Sequence, residues 1–391
     1  MKQVLVMDAA QRSALAVTRS LGNQGIHVFT TDETPTALAG CSRFSKQYFA
    51  CPSPRLNPEQ FVETVASLCE KKDIEILLPM TELTTSLLLE HRSMFPNATI
   101  PFPDLDTVDS LADKCSLMHL AESLDIPIPR SWYADGPASL PFNLEELPYP
   151  LVLKPGKSWL SQQGQWSRSG VQFADNPSQA RTILACDPAF QSHPFLLQEC
   201  IPGYGQGLFA LYDKGKPLAF FAHRRLREKP PRGGVSVLSE SIPVDPVLLS
   251  HARSLLDKAV WHGVAMVEFK VAEDGTPYLM EINTRFWGSL QLAIDAGVDF
   301  PCLLYQLACG GQPDQVTRYK TGNRLRWLLG DLDSLYLTLK DRGNYSIGHK
   351  LVSILHFMTP SIFRTRHEVN RLNDLGPFWC ELRQYIRDIT I

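Results

Sequence analysis

Short apolar runs alternate with segments of helical periodicity over roughly the first hundred residues of the chain. Residues 4–7 and 26–30 are strand-like, and residues 13–21 between them place apolar positions on one helical face. Residues 58–71 and 74–79 continue with a helix and a buried strand. This alternation predicts a parallel sheet covered by helices on both faces.

The turns after the first and third predicted strands are candidate ligand sites, because open α/β sheets bind ligands beyond the carboxyl ends of their strands. The first turn, residues 8–13, contains no glycine, which disfavours a nicotinamide dinucleotide. In the second turn, Thr81 and Glu82 are candidate substrate contacts. Both residues also suit the cap of the following helix, and the sequence leaves the two interpretations open.

Prolines between residues 127 and 150 mark a domain boundary, after a helical connector that starts at residue 104. Beyond it the pattern is mixed, with strands predicted at residues 151–154 and 195–199 and a helix near residues 177–184. A polar loop that ends at about residue 169 separates the first of these strands from the helix. The prolines therefore predict that a second domain follows the parallel sheet.

The strongest chemical signal lies in the segment AMVEFKVAEDGTPYLMEINTRFWGS, residues 265–289. Two apolar strands flank an Asp-Gly dipeptide, which is typical of hairpin turns. With the turn at that dipeptide, Glu268 and Glu281 lie opposite each other, and strand alternation places Asn283 on the same face. The hairpin therefore gathers two carboxylates and an amide oxygen at one point.

Opposed carboxylates in a sheet repel each other unless a positive group lies between them. Hard oxygen donors without nearby histidine or cysteine favour Mg²⁺ over zinc or copper, with Mn²⁺ as an alternative ion. The competing interpretation is an edge hairpin whose solvated acids pair with Lys270 or Arg285. Glu281 lies within the apolar stretch Tyr-Leu-Met-Glu-Ile-Asn, a setting that favours the metal site.

The segment MEINTRFWGS, which ends at the candidate substrate contact Ser289, resembles the acidic metal-binding segment of ATP-grasp carboxylate-amine ligases. The resemblance extends over about residues 1–312 and implies an α/β protein with a Rossmann-like N-terminal domain and an ATP-grasp fold of two α+β subdomains. A helical C-terminal extension follows. The expected bounds are 1–103 for the N-terminal domain, 104–150 for a helical linker, 151–204 and 205–322 for the small and large subdomains, and 323–391 for the extension.

The resemblance also implies the ATP contacts. Lys114 and Lys154 occupy the two places where the family keeps lysines for nucleotide phosphates, although a lone lysine is normally a solvated surface residue. The segment QECIPG resembles the hinge that reads the adenine edge, which assigns Glu199 and Ile201 to that contact. Gln206 stands at about the position where many relatives carry an acid for the ribose hydroxyls.

In the family, a substrate carboxylate attacks the terminal phosphate of ATP, and an amine captures the resulting acyl phosphate. Arg285 suits the stabilisation of the charge that develops, with a structural ion pair to Glu281 or Glu268 as its alternative role. A further arginine run, residues 224–232, precedes a glycine pair. The residues of this region expected to cradle a phosphate or an anionic substrate are Arg225, Arg232, Gly233 and Gly234.

The resemblance predicts an ADP-forming ligase that joins a small carboxylate, such as an amino acid, to an amine. One alternative is an enzyme that forms its acyl phosphate from bicarbonate or carbamate for carboxylation or carbamoyl chemistry. A second alternative is a catalytically idle ATP-binding scaffold, against which the intact acidic hairpin argues.

Composition narrows the partners and the compartment. A formal charge of -3 gives no basic field for nucleic acid, so small molecules are the expected partners. The nine cysteines are scattered and form no C-x-x-C pair, which disfavours disulfides and zinc and favours the cytoplasm. No apolar run approaches the length of a transmembrane segment.

The tail contains two apolar segments of helical periodicity, RLRWLLGDLDSLYLTLKD and KLVSILHFMTPSIF. The simpler interpretation is helices that pack on the core or build a homodimer contact. The sharper one takes residues 351–366 as an amphipathic, basic segment that touches a membrane surface or a partner protein. Arg324, Arg326 and Asp331 are alternative lining residues of the substrate pocket.

Overall fold

The computed structural model describes all residues except 138–139, 163, 232, 342, 360–363 and 391. Its strands are β1 (Gln3–Val6), β2 (Val28–Asp32), β3 (Ser45–Ala50), β4 (Ile74–Leu78), β5 (Ser131–Ala134), β6 (Leu151–Pro155), β7 (Trp159–Gln162), β8 (Gln165–Arg168), β9 (Gln172–Ala174), β10 (Phe195–Glu199), β11 (Tyr204–Asp213), β12 (Lys216–Lys229), β13 (Val235–Ile242), β14 (Gly263–Val271), β15 (Pro277–Asn283), β16 (Arg324–Arg326) and β17 (Thr365–His367). Its α-helices are α1 (Arg12–Asn23), α2 (Pro58–Lys72), α3 (Glu82–Glu90), α4 (Leu105–Ala112), α5 (Lys114–Ser123), α6 (Pro177–Cys186), α7 (Pro246–Lys258), α8 (Leu290–Ala296), α9 (Phe300–Ala308), α10 (Leu328–Lys340), α11 (Ile347–Met358) and α12 (Gly376–Thr390). No helix among the described residues is long and apolar enough to cross a membrane.

The N-terminal strands form the predicted parallel sheet, in the order β3-β2-β1-β4. The adjacent strands β1 and β4 are almost wholly buried, as their mainly apolar sequences predict. The turns that follow them meet at one edge. There the carboxylate of Asp8 accepts hydrogen bonds from the N–H groups of Met80 and Thr81, at 2.9 and 3.0 Å.

A second, four-stranded sheet has the order β5-β10-β6-β9. Strand β5 lies in the segment expected as a helical linker and pairs antiparallel with β10, so that expectation is wrong for residues 131–134. The prolines on both sides of this short strand led to its interpretation as part of a linker. The polar loop expected up to residue 169 contains the β7–β8 hairpin.

The largest sheet has seven strands in the order β15-β14-β11-β12-β13-β16-β17. Its last two strands belong to the tail, where β16 pairs antiparallel with β13 and parallel with β17. The tail therefore contains two helices in the predicted segments, α10 and α11, a third helix, α12, beyond them, and two strands that the sequence did not indicate. Three-residue strands are too short to show an alternating pattern.

One hydrophobic core runs without interruption from the N-terminal sheet into the large sheet. At its centre Trp287 contacts Phe209 and Phe300, with ring centroids 4.3 and 5.1 Å apart. The four-stranded sheet has a separate, smaller core around Phe190 and Phe195. The two sheets therefore have separate cores, and they meet where Nζ of Lys154 on β6 approaches the sulfur of Met280 on β15.

Candidate active site

The acidic hairpin consists of β14 and β15, and Glu268 pairs directly with Glu281 as predicted. The pairing near the turn differs from the expected one. Val271 pairs with Pro277, a register shifted by one residue from that of a two-residue turn. A bulge between Glu268 and Phe269 then restores the expected register. Bulges of this kind re-aim side chains beside functional sites. Here the bulge brings the two carboxylates together.

The two carboxylates of the hairpin lie in different electrostatic surroundings, which shift their pKa values in opposite directions. Burial raises the pKa of Glu268, with Glu281 adding repulsion and Arg225 opposing both. Burial also opposes the ionisation of Glu281, but Lys114 and Lys154 outweigh it and hold the pKa of Glu281 below its ordinary value. The hairpin therefore presents an ionised carboxylate next to one that needs further positive charge.

A divalent cation fits this donor set. Asn283 donates from Nδ2 to Oε1 of Glu281 at 3.1 Å, which turns its amide toward the carboxylate pair. Directly opposed residues of a ladder have Cβ atoms about 4.5–5.5 Å apart, close enough to share one ion. Mg²⁺ prefers such hard oxygen ligands, so Glu268, Glu281 and Asn283 are the residues that would hold it.

Both predicted lysines lie at this site. Lys114 begins α5, and its Nζ donates to Oγ of Ser158 at 3.4 Å. Lys154 lies on β6, with Nζ 4.0 Å from the sulfur of Met280. They are only 6% and 8% exposed, so the interpretation as solvated surface residues is wrong. Two separate segments thus bring positive charge to Glu281.

Lys154 gives the site a pH dependence. Burial lowers the pKa of Lys154 to about 8, although Glu281 opposes the shift. Bound phosphates stabilise the charged amine, so we expect ATP affinity to fall by up to about tenfold per pH unit above this pKa. Calorimetric titration of ATP on both sides of pH 8 measures the fall.

The Lys154→Arg variant is the control for this prediction, because a guanidinium keeps its charge over the whole range. Its ATP affinity should stay level where that of the unmodified protein falls. An identical fall in both proteins would show that another group is responsible.

The predicted adenine hinge connects β10 to β11. Glu199 ends β10, where its N–H donates to the carbonyl oxygen of Arg130 at 3.0 Å, and Ile201 lies in the connection. Gln206 pairs with Phe269, whereas Gly207 pairs with Glu268, so Gln206 lies on the opposite face of β11 from the carboxylates. The contacts of these residues with adenine and ribose stay predictions.

Arg225 is the arginine of the 224–232 run that reaches the carboxylates. Its Nη2 donates to Glu268 at 2.5 Å, and its Nη1 donates to Glu228 at 3.1 Å. Gly205 makes room for this path, because a Cβ there would lie 3.3 Å from Cδ of Arg225. The sequence signal for this contact is the glycine at position 205 of β11, which the sequence analysis did not single out.

The rest of that run has other partners. Arg224 binds Glu240 through Nη2 at 2.6 Å, and Arg227 binds Asp331 at 2.6 Å. The carbonyl oxygen of Gly234 accepts from Nη1 of Arg225 at 3.1 Å, and Gly233 beside it is half-buried. Arg232 lies outside the described residues. An anion cradle built from this run and the glycine pair stays a prediction.

Arg285 pairs with the N-terminal domain. Its Nη2 lies 3.4 Å from Oε1 of Glu82, and its Nη1 donates to the carbonyl oxygen of Phe286 at 3.0 Å. The alternative ion pairs with Glu281 and Glu268 are therefore wrong. Sequence reasoning had named Arg285 and Glu82 separately and missed that they meet.

The turn that carries Glu82 is held by hydrogen bonds. Oγ1 of Thr81 accepts from the N–H of Thr84 at 3.3 Å, so Thr81 caps α3. Asp8, which begins the other candidate turn, accepts hydrogen bonds from the N–H of Thr81 and the hydroxyl of Thr84, and burial raises its pKa to about 6. Ser289 precedes α8 at the N-cap position, where its side chain makes no capping bond.

The arginines of the tail have buried carboxylate partners. Nε of Arg326 donates to Asp331 at 2.6 Å, and Asp331 also accepts both bonds from Arg227. Arg324 donates to Glu240 at 2.9 Å. These contacts fasten the tail to β12 and β13, and a role in lining a substrate pocket stays a prediction.

Comparison with known proteins identifies the fold. Residues 191–330 match the family described as ATP-grasp in the biosynthetic pathway with Ter operon. The L-amino acid ligase of Bacillus licheniformis superposes with a TM-score of 0.61 at 16% identity, covering 79% of this chain and 74% of that one. A comparison with curated proteins finds no match.

Two further solved structures share the architecture. The biotin carboxylase domain of Hydrogenobacter thermophilus 2-oxoglutarate carboxylase, with MgADP and bicarbonate, has a TM-score of 0.63 at 16% identity and covers 83% of this chain and 73% of that one. Carboxyaminoimidazole ribonucleotide synthase of Aspergillus clavatus, with ATP, has a TM-score of 0.62 at 18% identity and covers 84% and 82%. These likenesses confirm the predicted ATP-grasp fold.

Proposed function

We propose that this chain, which has the ATP-grasp fold, is an ADP-forming ligase that joins a carboxylate to an amine. The observation that carries the proposal is the meeting of four charged residues from separate segments. Glu268 and Glu281 face each other on the hairpin, while the positive charges of Lys114 on α5 and Lys154 on β6 lower the pKa of Glu281. Opposed carboxylates flanked by buried lysines suit a metal-bound triphosphate.

The reaction needs positioning and charge rather than a protein nucleophile. A carboxylate oxygen of the substrate attacks the γ-phosphorus of ATP, the bond to the β-phosphate oxygen breaks, and ADP leaves. The amine then attacks the acyl carbon, phosphate leaves, and the amine proton passes to solvent. Mg²⁺, when bound, neutralises phosphate charge during the first step.

Each side chain has a role in this scheme. Lys114 of α5 and Lys154 of β6 hold phosphate oxygens. Arg225 contacts Glu268 at 2.5 Å and partly offsets the burial that raises the pKa of this carboxylate. Arg285 faces the turn of Glu82, and its fork suits the substrate carboxylate or the transferred phosphoryl group. When Arg285 binds that group, the carboxylate of Glu82 would be free to accept a hydrogen bond from the substrate amine.

The division of the chain follows the same proposal. Residues 1–103 would supply the substrate face, 151–204 and 205–322 would close on ATP, and the tail would fasten the large sheet. We also propose a cytoplasmic location and small-molecule substrates, with homodimerisation as a state to be measured.

The test is ADP and phosphate release from purified protein with MgATP over a panel of amino acid pairs. We expect ADP release that needs both a carboxylate and an amine, and an acyl hydroxamate when hydroxylamine replaces the amine. Release that depends on bicarbonate alone would favour carboxylation instead. ATP binding without turnover, unchanged in the Glu281→Gln variant, would identify a scaffold.

A further inference from the structure

Helix α11 contributes no buried residue to the protein, although most of its side chains are apolar. Its exposed positions Ile347, Leu351, Leu355 and Met358 recur at helical spacing and form one face. The opposite edge is half-buried, and the ring of Phe357 there lies 4.3 Å from the guanidinium carbon of Arg326. The helix is therefore fixed to the protein by one edge and presents an apolar face outward.

Helix α10 continues this surface. Leu332, Tyr336 and Leu339 are exposed and lie on one face of the helix. The acids of α10 turn inward instead, Asp331 to the arginines of β12 and β16 and Asp333 to Lys229. The outward faces of α10 and α11 thus form one surface, which we call the tail surface.

The segment that contains α11 carries formal charge of one sign. From residue 342 to residue 367 the sequence contains no aspartate or glutamate, whereas it contains Arg342, Lys350, Arg364 and Arg366 and three histidines. A second copy of the chain would bring the same positive charge against it. The headgroups of an anionic lipid bilayer bring the opposite charge.

We propose that the tail surface docks on an anionic membrane, with α11 lying in the interface plane. At 12 residues, α11 is about 18 Å long, too short to span a bilayer but typical of a helix that lies on one. Its apolar face enters the headgroup boundary, and the exposed arginines that follow the helix, Arg364 and Arg366, contact lipid phosphates. This docking is independent of the reaction proposed for the candidate active site.

Cosedimentation of the full chain with lipid vesicles tests the proposal. We expect binding to phosphatidylglycerol vesicles, weaker binding to phosphatidylcholine vesicles, and loss of the difference at high salt. Leu355→Asp should weaken binding to phosphatidylglycerol vesicles at least about tenfold. Leu351→Asp, a second variant on the same face, should act in the same direction.

The matched control is Val247→Asp on α7, since Val247 is 52% exposed and Leu355 is 61% exposed. It should bind vesicles like the unmodified protein, and all three variants should retain the original melting temperature. Absence of vesicle binding, or binding that Leu355→Asp leaves unchanged, would overturn the proposal. So would dissociation of an oligomer by Leu355→Asp in light scattering, which would assign the surface to a second copy.

Discussion

The Glu281→Gln variant should lose Mg²⁺-dependent ADP release by at least about a hundredfold, because the amide removes the charge that a divalent ion needs while keeping the side-chain volume. The loss should be large because the buried amines of Lys114 and Lys154 and the carboxylate of Glu281 also stabilise one another electrostatically. The variant removes that stabilising negative charge from both amines. Initial rates of ADP formation at saturating ATP measure the effect.

Glu273→Gln is the control for this variant, because Glu273 lies exposed at the turn of the same hairpin. It makes the same chemical change without touching the carboxylate pair, so its rate should match that of the unmodified protein. Comparable rates of ADP formation in all three proteins would contradict the proposed metal site. A parallel loss in both variants would point instead to damage to the hairpin.

The second large effect concerns stability. Asp331→Asn should lower the free energy of unfolding by about 3 kcal/mol, because it breaks a buried ion cluster and leaves a charge without its partner. Asp331 is 1% exposed and binds Arg227 and Arg326 with bonds of 2.6 Å. An amide has a single acceptor oxygen and turns its N–H₂ group toward donors. Urea denaturation followed by circular dichroism measures the change.

Glu145→Gln provides the comparison for an exposed ion pair. Glu145 binds Arg181 at 2.5 Å, but both side chains are more than half exposed, so the loss should be at most about 0.5 kcal/mol. Equal losses of unfolding free energy in the two variants would show that burial does not determine how much the Asp331 cluster contributes to stability.

The sequence pattern predicts the parts of the fold that have a clear period. Strands β1 and β4 are mainly apolar runs, and a parallel sheet was the consequence. Strands β5, β16 and β17 were not predicted, because they are three or four residues long and their pairing depends on partners distant in the sequence. Their presence is a tertiary effect rather than a local one.

The same contrast applies to the site. Glu268 and Glu281 belong to one hairpin, so local alternation and a turn signal were enough to pair them, even though a bulge corrects the register. The ion pair of Glu82 with Arg285 joins residues about two hundred positions apart, and nothing local predicts it. For Arg225 the clue was Gly205, whose missing side chain leaves the path open.

Titration of MgATP into the purified protein by calorimetry is the decisive test of the proposed metal-nucleotide site, because it needs no knowledge of the other substrates. We expect one binding event that weakens strongly without Mg²⁺ and in the Glu281→Gln variant, and that Glu273→Gln leaves unchanged. Absence of ATP binding, or binding indifferent to both Mg²⁺ and Glu281, would contradict it.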